Sequence, residues 1–155
     1  MSENTLMRAW SAAEKIPGGK ALFPQVLRFV VPYTASIHPR IVELRPGFAK
    51  VEMRDRKALR NHLSCLHAAA LFNLAEFTGN LAPMAGLSPK LQFIPVELTI
   101  QYYKKARGTI TATCEAGIPE TSERIEHKTQ VHLHDEAGTE VARADVKLLV
   151  GPKAK

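Results

Sequence analysis

The C-terminal half of the chain alternates between apolar and polar residues in several runs. Apolar residues occupy every second position in residues 96–102 and 110–116. Two further runs, residues 125–134 and 142–150, are separated by the turn sequence at residues 135–138. Because successive side chains of a strand point to opposite faces of a sheet, these runs predict four β-strands.

A shorter stretch before the middle of the chain predicts a β-hairpin. Val42 and Leu44 alternate with charged residues, and the dipeptide at residues 46–47, Pro-Gly, follows them. Alternation then resumes with three apolar residues, Ala49, Val51 and Met53. Turn residues between two alternating runs are typical of a hairpin, so two more strands are expected here.

The first part of the chain predicts helices instead of strands. One short helix covers residues 6–14 and is ended by Pro-Gly-Gly at residues 17–19. A second helical stretch covers residues 20–37, and we expect Pro24 and Pro32 to limit or kink it.

The longest apolar stretch predicts a buried central helix. Ser64 is a good N-cap candidate, and Gly86 marks the expected end of the helix. Its apolar residues cover nearly every face, which is typical of a helix that is buried on most sides. Glu76 is its only carboxylate, and burying a lone carboxylate costs several kcal/mol unless it is paired or takes up a proton.

The order of these elements favours one α+β fold. Two strands precede the long helix and four follow it, and two strands alone cannot cover a helix that is apolar all round. The economical solution is a six-stranded antiparallel sheet wrapped around the long central helix. We therefore predict a helical N-terminal extension at residues 1–37 and one sheet-forming domain at residues 38–152.

Length and composition agree with a single globular domain. The chain has 155 residues, of which 45% are hydrophobic and 23% charged, and its formal net charge is +6. Such an excess suits nucleic acid, an anionic membrane or a phosphorylated small molecule. No aromatic residues interleave with the basic ones, so no nucleic-acid partner is predicted. The carboxylate of Glu76 within the most apolar stretch argues against a membrane span.

Cysteines and histidines do not predict a metal site. Cys65 and Cys114 are too few for a disulfide framework, and both are interpreted as buried thiols in a reducing cytoplasm. His132 and His134 share a predicted strand face, but no third ligand accompanies them. The first ten residues lack a basic segment followed by an apolar run, so no signal peptide is predicted.

The segment from Asn61 to Glu76, NHLSCLHAAALFNLAE, resembles the thioesterase pattern of the hotdog fold. In that pattern an Asn precedes a His-Gly-Gly helix start, and Asp or Glu follows nine residues after the His. His67 and Glu76 have this spacing. The resemblance covers about residues 40–150, and it identifies the chain as an uncharacterised branch of the hotdog-fold acyl-CoA thioesterase superfamily, similar to phenylacetate-pathway and 4-hydroxybenzoyl-CoA thioesterases.

The resemblance implies roles for four residues in hydrolysis of an acyl-CoA thioester. Glu76 would be the catalytic base or nucleophile. The Asn61 side chain and the Ala68 N–H would hold the thioester oxygen at the helix start, where unpaired N–H groups and a partial positive charge form an oxyanion hole. His67 would pack beside them and cap the helix.

Two departures from the family pattern bear on activity. Ala68 and Ala69 stand where the family has glycines, and their methyl groups would narrow the approach for acyl chains. Pro95 stands where related enzymes often carry a Ser or Thr near the water, and Thr78 or Ser88 could substitute for that hydroxyl.

Two basic clusters are candidates for binding the phosphates of coenzyme A, which enters as part of the substrate and not as a separate cofactor. The first contains Arg56 and Arg60, and the second contains Lys104, Lys105 and Arg107. By resemblance, the second would border the interface of a homodimer or homotetramer, in which Glu76 of one protomer faces Asn61 and Ala68 of another.

Two other functions remain open at this stage. The first is an acyl-CoA-binding module without catalysis, which the missing hydroxyl at Pro95 favours. The second is an acyl-thioester hydratase or dehydratase, because His62 and Glu76 have the 14-residue spacing of the hotdog enzymes of that kind. The Pro- and Gly-rich sequence between the two residues is absent, which makes this function the least favoured.

Overall fold

The computed structural model describes residues 4–153, apart from five side chains in the second helix. Three helices come first, two strands follow, a long helix lies in the middle, and four more strands complete the fold. In chain order the elements are α1 Thr5–Glu14, α2 Gly19–Val30, α3 Pro32–Ala35, β1 Arg40–Arg45, β2 Phe48–Met53, a 3-10 turn Lys57–Leu59, α4 Ala68–Gly86, β3 Leu91–Tyr102, β4 Ile110–Glu115, β5 Ile125–His134 and β6 Glu140–Pro152.

The six strands form one antiparallel sheet in the order β1-β2-β4-β5-β6-β3. Helix α4 packs against all six strands. The predicted six-stranded sheet around a central helix is therefore confirmed. The expected alternation holds best in β6. One face of this strand is fully buried, and it consists of Ala142, Ala144, Val146, Leu148 and Val150.

Two β-bulges change the predicted faces of the strands. The register of β1 shifts between Ile41 and Glu43, so Ile41 enters the core at 1% exposure and the predicted Val42 does not. The register of β3 shifts between Pro95 and Glu97, which leaves Val96 half-exposed. A bulge adds one residue to one strand and reverses the faces that follow, so alternation alone predicts the wrong side there.

The predicted second helix is two helices. Helix α2 ends at Val30, and Pro32 is the first residue of α3. Proline is favoured at this position because it has no N–H to leave unpaired, but it cannot continue the preceding helix. Helix α2 also exposes four apolar side chains, those of Leu22, Val26, Phe29 and Val30.

Helix α1 is attached to the core through two side chains. Trp10 is fully buried, and its ring meets Phe23 edge to face at 5.3 Å. Asn4 caps α1 by accepting from the Met7 N–H, and its Nδ2 also donates to the Met84 carbonyl at the end of α4. Asn4 thus provides a hydrogen-bond acceptor for a backbone N–H at the start of α1 and a donor for a backbone carbonyl near the end of α4.

Helix α4 differs from its prediction at its start and on one face. It begins at Ala68 with His67 as the N-cap, because Ser64 has a φ of 55° and lies in the loop. One stripe of the helix is not covered by its own chain. Phe72 and Met84 are exposed on this stripe, and Glu76 is half-buried between them.

Candidate functional site

The loop before α4 holds the side chain of Asn61 in one orientation. Its Oδ1 accepts from the Leu63 N–H at 2.9 Å and from the Cys65 N–H at 3.4 Å. Every hydrogen bond that residues 4–153 give this side chain goes to Oδ1. The NH₂ group of Asn61 is therefore left as a donor beside the start of α4.

The first turn of α4 leaves one backbone donor without an acceptor. His67 Nδ1 accepts from the Ala69 N–H at 3.1 Å, and the His67 carbonyl accepts from the Ala70 and Leu71 N–H groups. Within the described chain no acceptor is found for the Ala68 N–H. The predicted pair of donors, Asn61 Nδ2 and the Ala68 N–H, thus flanks the same helix start.

A groove of about 280 Å³ opens at this helix start. Its lining includes Asn61, Ala68, Tyr102, Lys104 and Lys105. The Tyr102 hydroxyl donates to the Ala68 carbonyl at 3.1 Å, and burial raises the pKa of Tyr102. Tyr102 was predicted only as a strand residue. Its position at the end of β3, two residues before Lys104, was the signal that could have placed it in the site.

Glu76 is not part of this groove. It lies eight residues after Ala68 on the same helix, which is about 12 Å along the axis at 1.5 Å per residue. A hydrogen bond spans about 3 Å, so a thioester carbonyl bound at the Ala68 N–H cannot also be in contact with Glu76 of the same chain. A single chain therefore holds the predicted donors and the predicted carboxylate apart.

Two asparagines flank Glu76 along α4, the buried Asn73 and the half-buried Asn80. Asn73 is three residues before it and Asn80 four residues after it, which places all three side chains on one side of the helix. The Oδ1 atoms of Asn73 and Asn80 are both buried without a hydrogen-bond donor among the described residues. In the sequence the two asparagines were only polar interruptions of an apolar helix.

The hydroxyl groups considered as replacements for Pro95 have other positions. Thr78 is fully buried, and its hydroxyl donates to the Leu74 carbonyl at 2.7 Å, so it is used inside α4. Ser88 follows the end of α4 and contacts the Lys90 N–H. The suggestion that Thr78 replaces the family hydroxyl is therefore wrong, because its side chain lies on the face of α4 that is buried in the core.

The two basic clusters differ in their surroundings. Arg60 donates to Asp55 at 2.7 Å, and Arg56 donates to the Ser36 carbonyl at 2.9 Å, so both are engaged with neighbouring loops. Lys104 and Lys105 line the groove, and Arg107 is exposed just beyond it. The structure therefore brings two members of the second cluster, and neither arginine of the first, to the helix start.

Asp55 connects these loops through its charge. The Arg60 hydrogen bond lowers the pKa of Asp55 most, and the Gly108 N–H, which donates at 3.1 Å, lowers it further against the opposing effect of burial. This ion pair fixes the loop that leads from β2 towards Asn61.

The histidines on the strands lie outside the groove. His132 contacts Glu140 at 2.6 Å, and the pKa of Glu140 falls to about 2, first because of Arg143 and then because of His132. The rings of His132 and His134 stack at 6.3 Å, which confirms that they share a face. Within residues 4–153 no cluster of three metal-binding side chains occurs.

Both cysteines are buried and free, as predicted. Burial raises the pKa of Cys114 to about 11. No helix in the described part of the chain is long and apolar enough to cross a membrane.

Comparison with solved structures supports the hotdog fold. The structural-genomics protein APC5556 aligns over 97% of this chain and 100% of its own, with 26% identity and a TM-score of 0.83. A Pseudomonas aeruginosa protein described as a probable thioesterase aligns over 89% of this chain and 97% of its own, with 22% identity and a TM-score of 0.78. A Staphylococcus aureus thioesterase aligns over 79% of this chain and 100% of its own, with 16% identity and a TM-score of 0.70.

Family membership follows from the sequence comparison. No curated protein matches the chain. The model of the family described as a domain of unknown function, DUF4442, matches residues 19–150, which include α4, strands β1 to β5, all but the last two residues of β6, and every residue of the candidate site. The chain has the hotdog fold and belongs to the DUF4442 family.

Proposed function

We propose that the protein is an acyl-CoA thioesterase that hydrolyses an acyl-CoA thioester to a free acid and coenzyme A. The observation that carries this proposal is the arrangement on α4. Two hydrogen-bond donors that have no acceptor among the described residues, Asn61 Nδ2 and the Ala68 N–H, lie at its start, and the carboxylate of Glu76 lies on its uncovered stripe. Donors for an oxyanion and a carboxylate for the attacking group are what acyl transfer requires.

In the proposed reaction, the two donors bind the thioester carbonyl oxygen and stabilise the negative charge that develops on it. As a general base, Glu76 takes a proton from the water that attacks the carbonyl carbon; the carbon–sulfur bond then breaks, and that proton passes to the departing coenzyme A thiolate. As a nucleophile, Glu76 attacks the carbon itself and displaces the coenzyme A thiolate to give a mixed anhydride, which water then hydrolyses to the free acid and the regenerated carboxylate. The positive end of the α4 dipole adds to the stabilisation of the oxyanion.

The proposed site requires a second copy of the chain. About 12 Å of helix separates Ala68 from Glu76, whereas an antiparallel helix from a partner would place its Glu76 opposite the first turn. Strand β3 is an edge of the sheet, and Ile94 and Val96 are at least half-exposed along it. A long apolar edge that is left open in one chain favours pairing with another. We therefore propose a homodimer, alone or within a homotetramer.

Variants of the S. aureus thioesterase add support. In that protein a glutamine and a glutamate that lie 15 positions apart (47 − 32) were each replaced by alanine. Asn61 and Glu76 are also 15 apart (76 − 61), and each pair combines a side-chain amide with a carboxylate. The same pairing of residue types at the same spacing is consistent with one shared active-site arrangement.

Lys104, Lys105 and Arg107 are the proposed contacts for the coenzyme A phosphates. They follow β3 at the mouth of the groove, where the phosphates would remain in solvent while the thioester reaches Ala68. Arg56 and Arg60 are the second choice, since both already have partners in the chain.

Binding of acyl-CoA without hydrolysis is the alternative that one observation favours. Pro95 is exposed at the bulge of β3 and cannot supply a hydroxyl for water. A panel of acyl-CoA esters with detection of free thiol, run on wild type and Glu76→Gln, separates the two functions. Hydrolysis that Glu76→Gln abolishes supports the thioesterase, and binding with no thiol release by wild type supports the binding module.

A further inference from the structure

Asn73 is a buried polar residue with one unsatisfied atom. Its side chain is 3% exposed. Its Nδ2 donates to the Tyr33 carbonyl at 3.4 Å, and this contact fixes the orientation of the amide. The opposite atom, Oδ1, has no donor within the described chain. Leaving a buried acceptor unpaired costs about 1–3 kcal/mol, so such atoms in folded proteins usually have a water or a ligand as partner.

The surroundings of this oxygen favour water as its partner. Glu76 is one helical turn further on, and side chains at positions i and i+3 are about 5–6 Å apart at their Cβ atoms. A water between two oxygen acceptors at that spacing can donate one hydrogen to each. Asn80 places a second unpaired Oδ1 on the other side of Glu76. The site thus has two or three acceptors, which is the number of polar partners that an ordered water needs.

We propose that Asn73 positions the hydrolytic water, in place of the hydroxyl that Pro95 lacks. This inference rests on the proposed thioesterase function. The water donates one hydrogen to Asn73 Oδ1 and the other to the Glu76 carboxylate, which directs an oxygen lone pair at the thioester carbon. As the bond from water oxygen to carbon forms, Glu76 accepts the second proton. The proton passes to the departing thiolate when the carbon–sulfur bond breaks, so the carboxylate is regenerated.

Two substitutions separate the oxygen of Asn73 from its hydrogen bond to Tyr33. Asn73→Leu removes both polar atoms at similar volume. Asn73→Asp keeps an acceptor oxygen but loses the donor to the Tyr33 carbonyl. Thr78→Val is the matched control, because it also replaces a buried polar side chain of α4, and the one hydrogen bond that the described residues give Thr78 lies within the helix.

The test measures kcat, KM and thermal unfolding for these variants with the best acyl-CoA of the panel. We expect Asn73→Leu to lower kcat about 10²-fold with little change in KM, the cost of a misplaced reacting group. Asn73→Asp adds a carboxyl group beside Glu76, so its kcat is measured across pH, and at its best pH it should keep at least a tenth of the wild-type kcat. Thr78→Val should keep the full wild-type kcat despite lower stability. If leucine is not accommodated, Asn73→Ala makes the same comparison.

Each other outcome overturns the inference. If Asn73→Asp is as defective as Asn73→Leu at every pH, including pH values low enough to protonate one of the two neighbouring carboxyl groups, the acceptor oxygen at position 73 does not contribute to the reaction. Full kcat in Asn73→Leu beside an inactive Glu76→Gln removes Asn73 from the reaction but leaves the proposed function standing. A wild type that hydrolyses no acyl-CoA removes both.

Discussion

The first turn of α4 and the middle of the same helix have opposite hydrogen-bonding character. The first turn offers donors, the Ala68 N–H and Nδ2 of Asn61 beside it. The middle offers acceptors, the carboxylate of Glu76 and the Oδ1 atoms of Asn73 and Asn80, which have no donor among the described residues. The two regions lie about 12 Å apart along one axis, so neither can satisfy the other within a chain.

This difference indicates how two copies would complement each other. In a twofold dimer the same patch meets its own copy, so residue i of one protomer faces residue j of the other and the reverse. If the α4 helices lie antiparallel, each donor region faces an acceptor region. The two sites that result each take their oxyanion donors from one protomer and their carboxylate from the other.

Removing the carboxylate should have the largest effect. Glu76→Gln preserves shape and hydrogen bonding but cannot accept a proton or attack, so we expect kcat to fall by roughly two to four orders of magnitude. Glu76→Asp should lose less, because the carboxylate remains and retreats by one methylene. Steady-state hydrolysis with thiol detection measures both. Wild-type kcat in Glu76→Gln, with folding intact, would contradict the catalytic assignment.

Removing one donor should have the next largest effect. Asn61→Asp keeps the Oδ1 that accepts from the Leu63 and Cys65 N–H groups but replaces the free NH₂ group with an oxygen. We expect kcat to fall about 10²–10³-fold, as for other oxyanion-hole donors, with the melting temperature nearly unchanged. Asn61→Ala should lose stability as well. Equal activity of Asn61→Asp and wild type would show that the oxyanion is bound elsewhere.

A mixture of the two inactive variants tests the proposed division between protomers. In a heterodimer of Asn61→Asp and Glu76→Gln, one site has both substitutions and the other has neither. With random exchange, half of the dimers are mixed and each has one intact site, so activity should recover to about a quarter of wild type.

Recovery requires that the subunits exchange, which native mass spectrometry can verify. The control is each variant taken through the same procedure alone. A mixture that stays as inactive as its components, although mixed dimers are present, would place the complete site within one chain.

The basic residues at the groove should have a smaller effect, mainly on binding. Reversing the charges of Lys104, Lys105 and Arg107 together should raise KM for acyl-CoA about tenfold or more at low salt and less at high salt, because exposed charges are screened. The matched control is Arg45→Glu at the β1–β2 turn. An unchanged KM at low salt would show that the phosphates bind elsewhere, with Arg56 and Arg60 as the next candidates.

The smallest expected effect is on stability in acid. The lowered pKa of Asp55 means that its ion pair stabilises the fold above the unfolded pKa of about 4 and that this contribution is lost as pH falls through the lower folded value. Asp55→Asn should therefore cost about 1 kcal/mol or less at neutral pH and nothing in strong acid. Urea unfolding at both pH values measures this. Glu120 is an exposed carboxylate and serves as the control. The same loss of stability in Glu120→Gln would show that the loss does not come from the Asp55–Arg60 ion pair.

Sequence patterns predicted the sheet well where strands are regular and less well elsewhere. The buried face of β6 was predicted correctly because nothing interrupts its period of two. The bulges at Ile41 and Val96 shift that period by one. No residue type announces the shift at Ile41, whereas Pro95 in β3 is a signal of an edge strand or a bulge. Similarly, Ser64 has the chemistry of an N-cap, but the bonds of the Asn61 loop delay the helix to His67.

The sequence alone determined the order of elements, the single carboxylate of an apolar helix and the 15-residue separation of Asn61 and Glu76. These are local properties, because periodicity and spacing along a helix need no long-range contact. Only the tertiary structure decided which polar atoms are already bonded. It showed that Thr78 donates to a carbonyl of its own helix, that Arg60 is paired with Asp55, and that Asn73 Oδ1 has no donor within residues 4–153. Hydrogen-bond partners depend on which segments meet in space, and that information is not contained in any one segment.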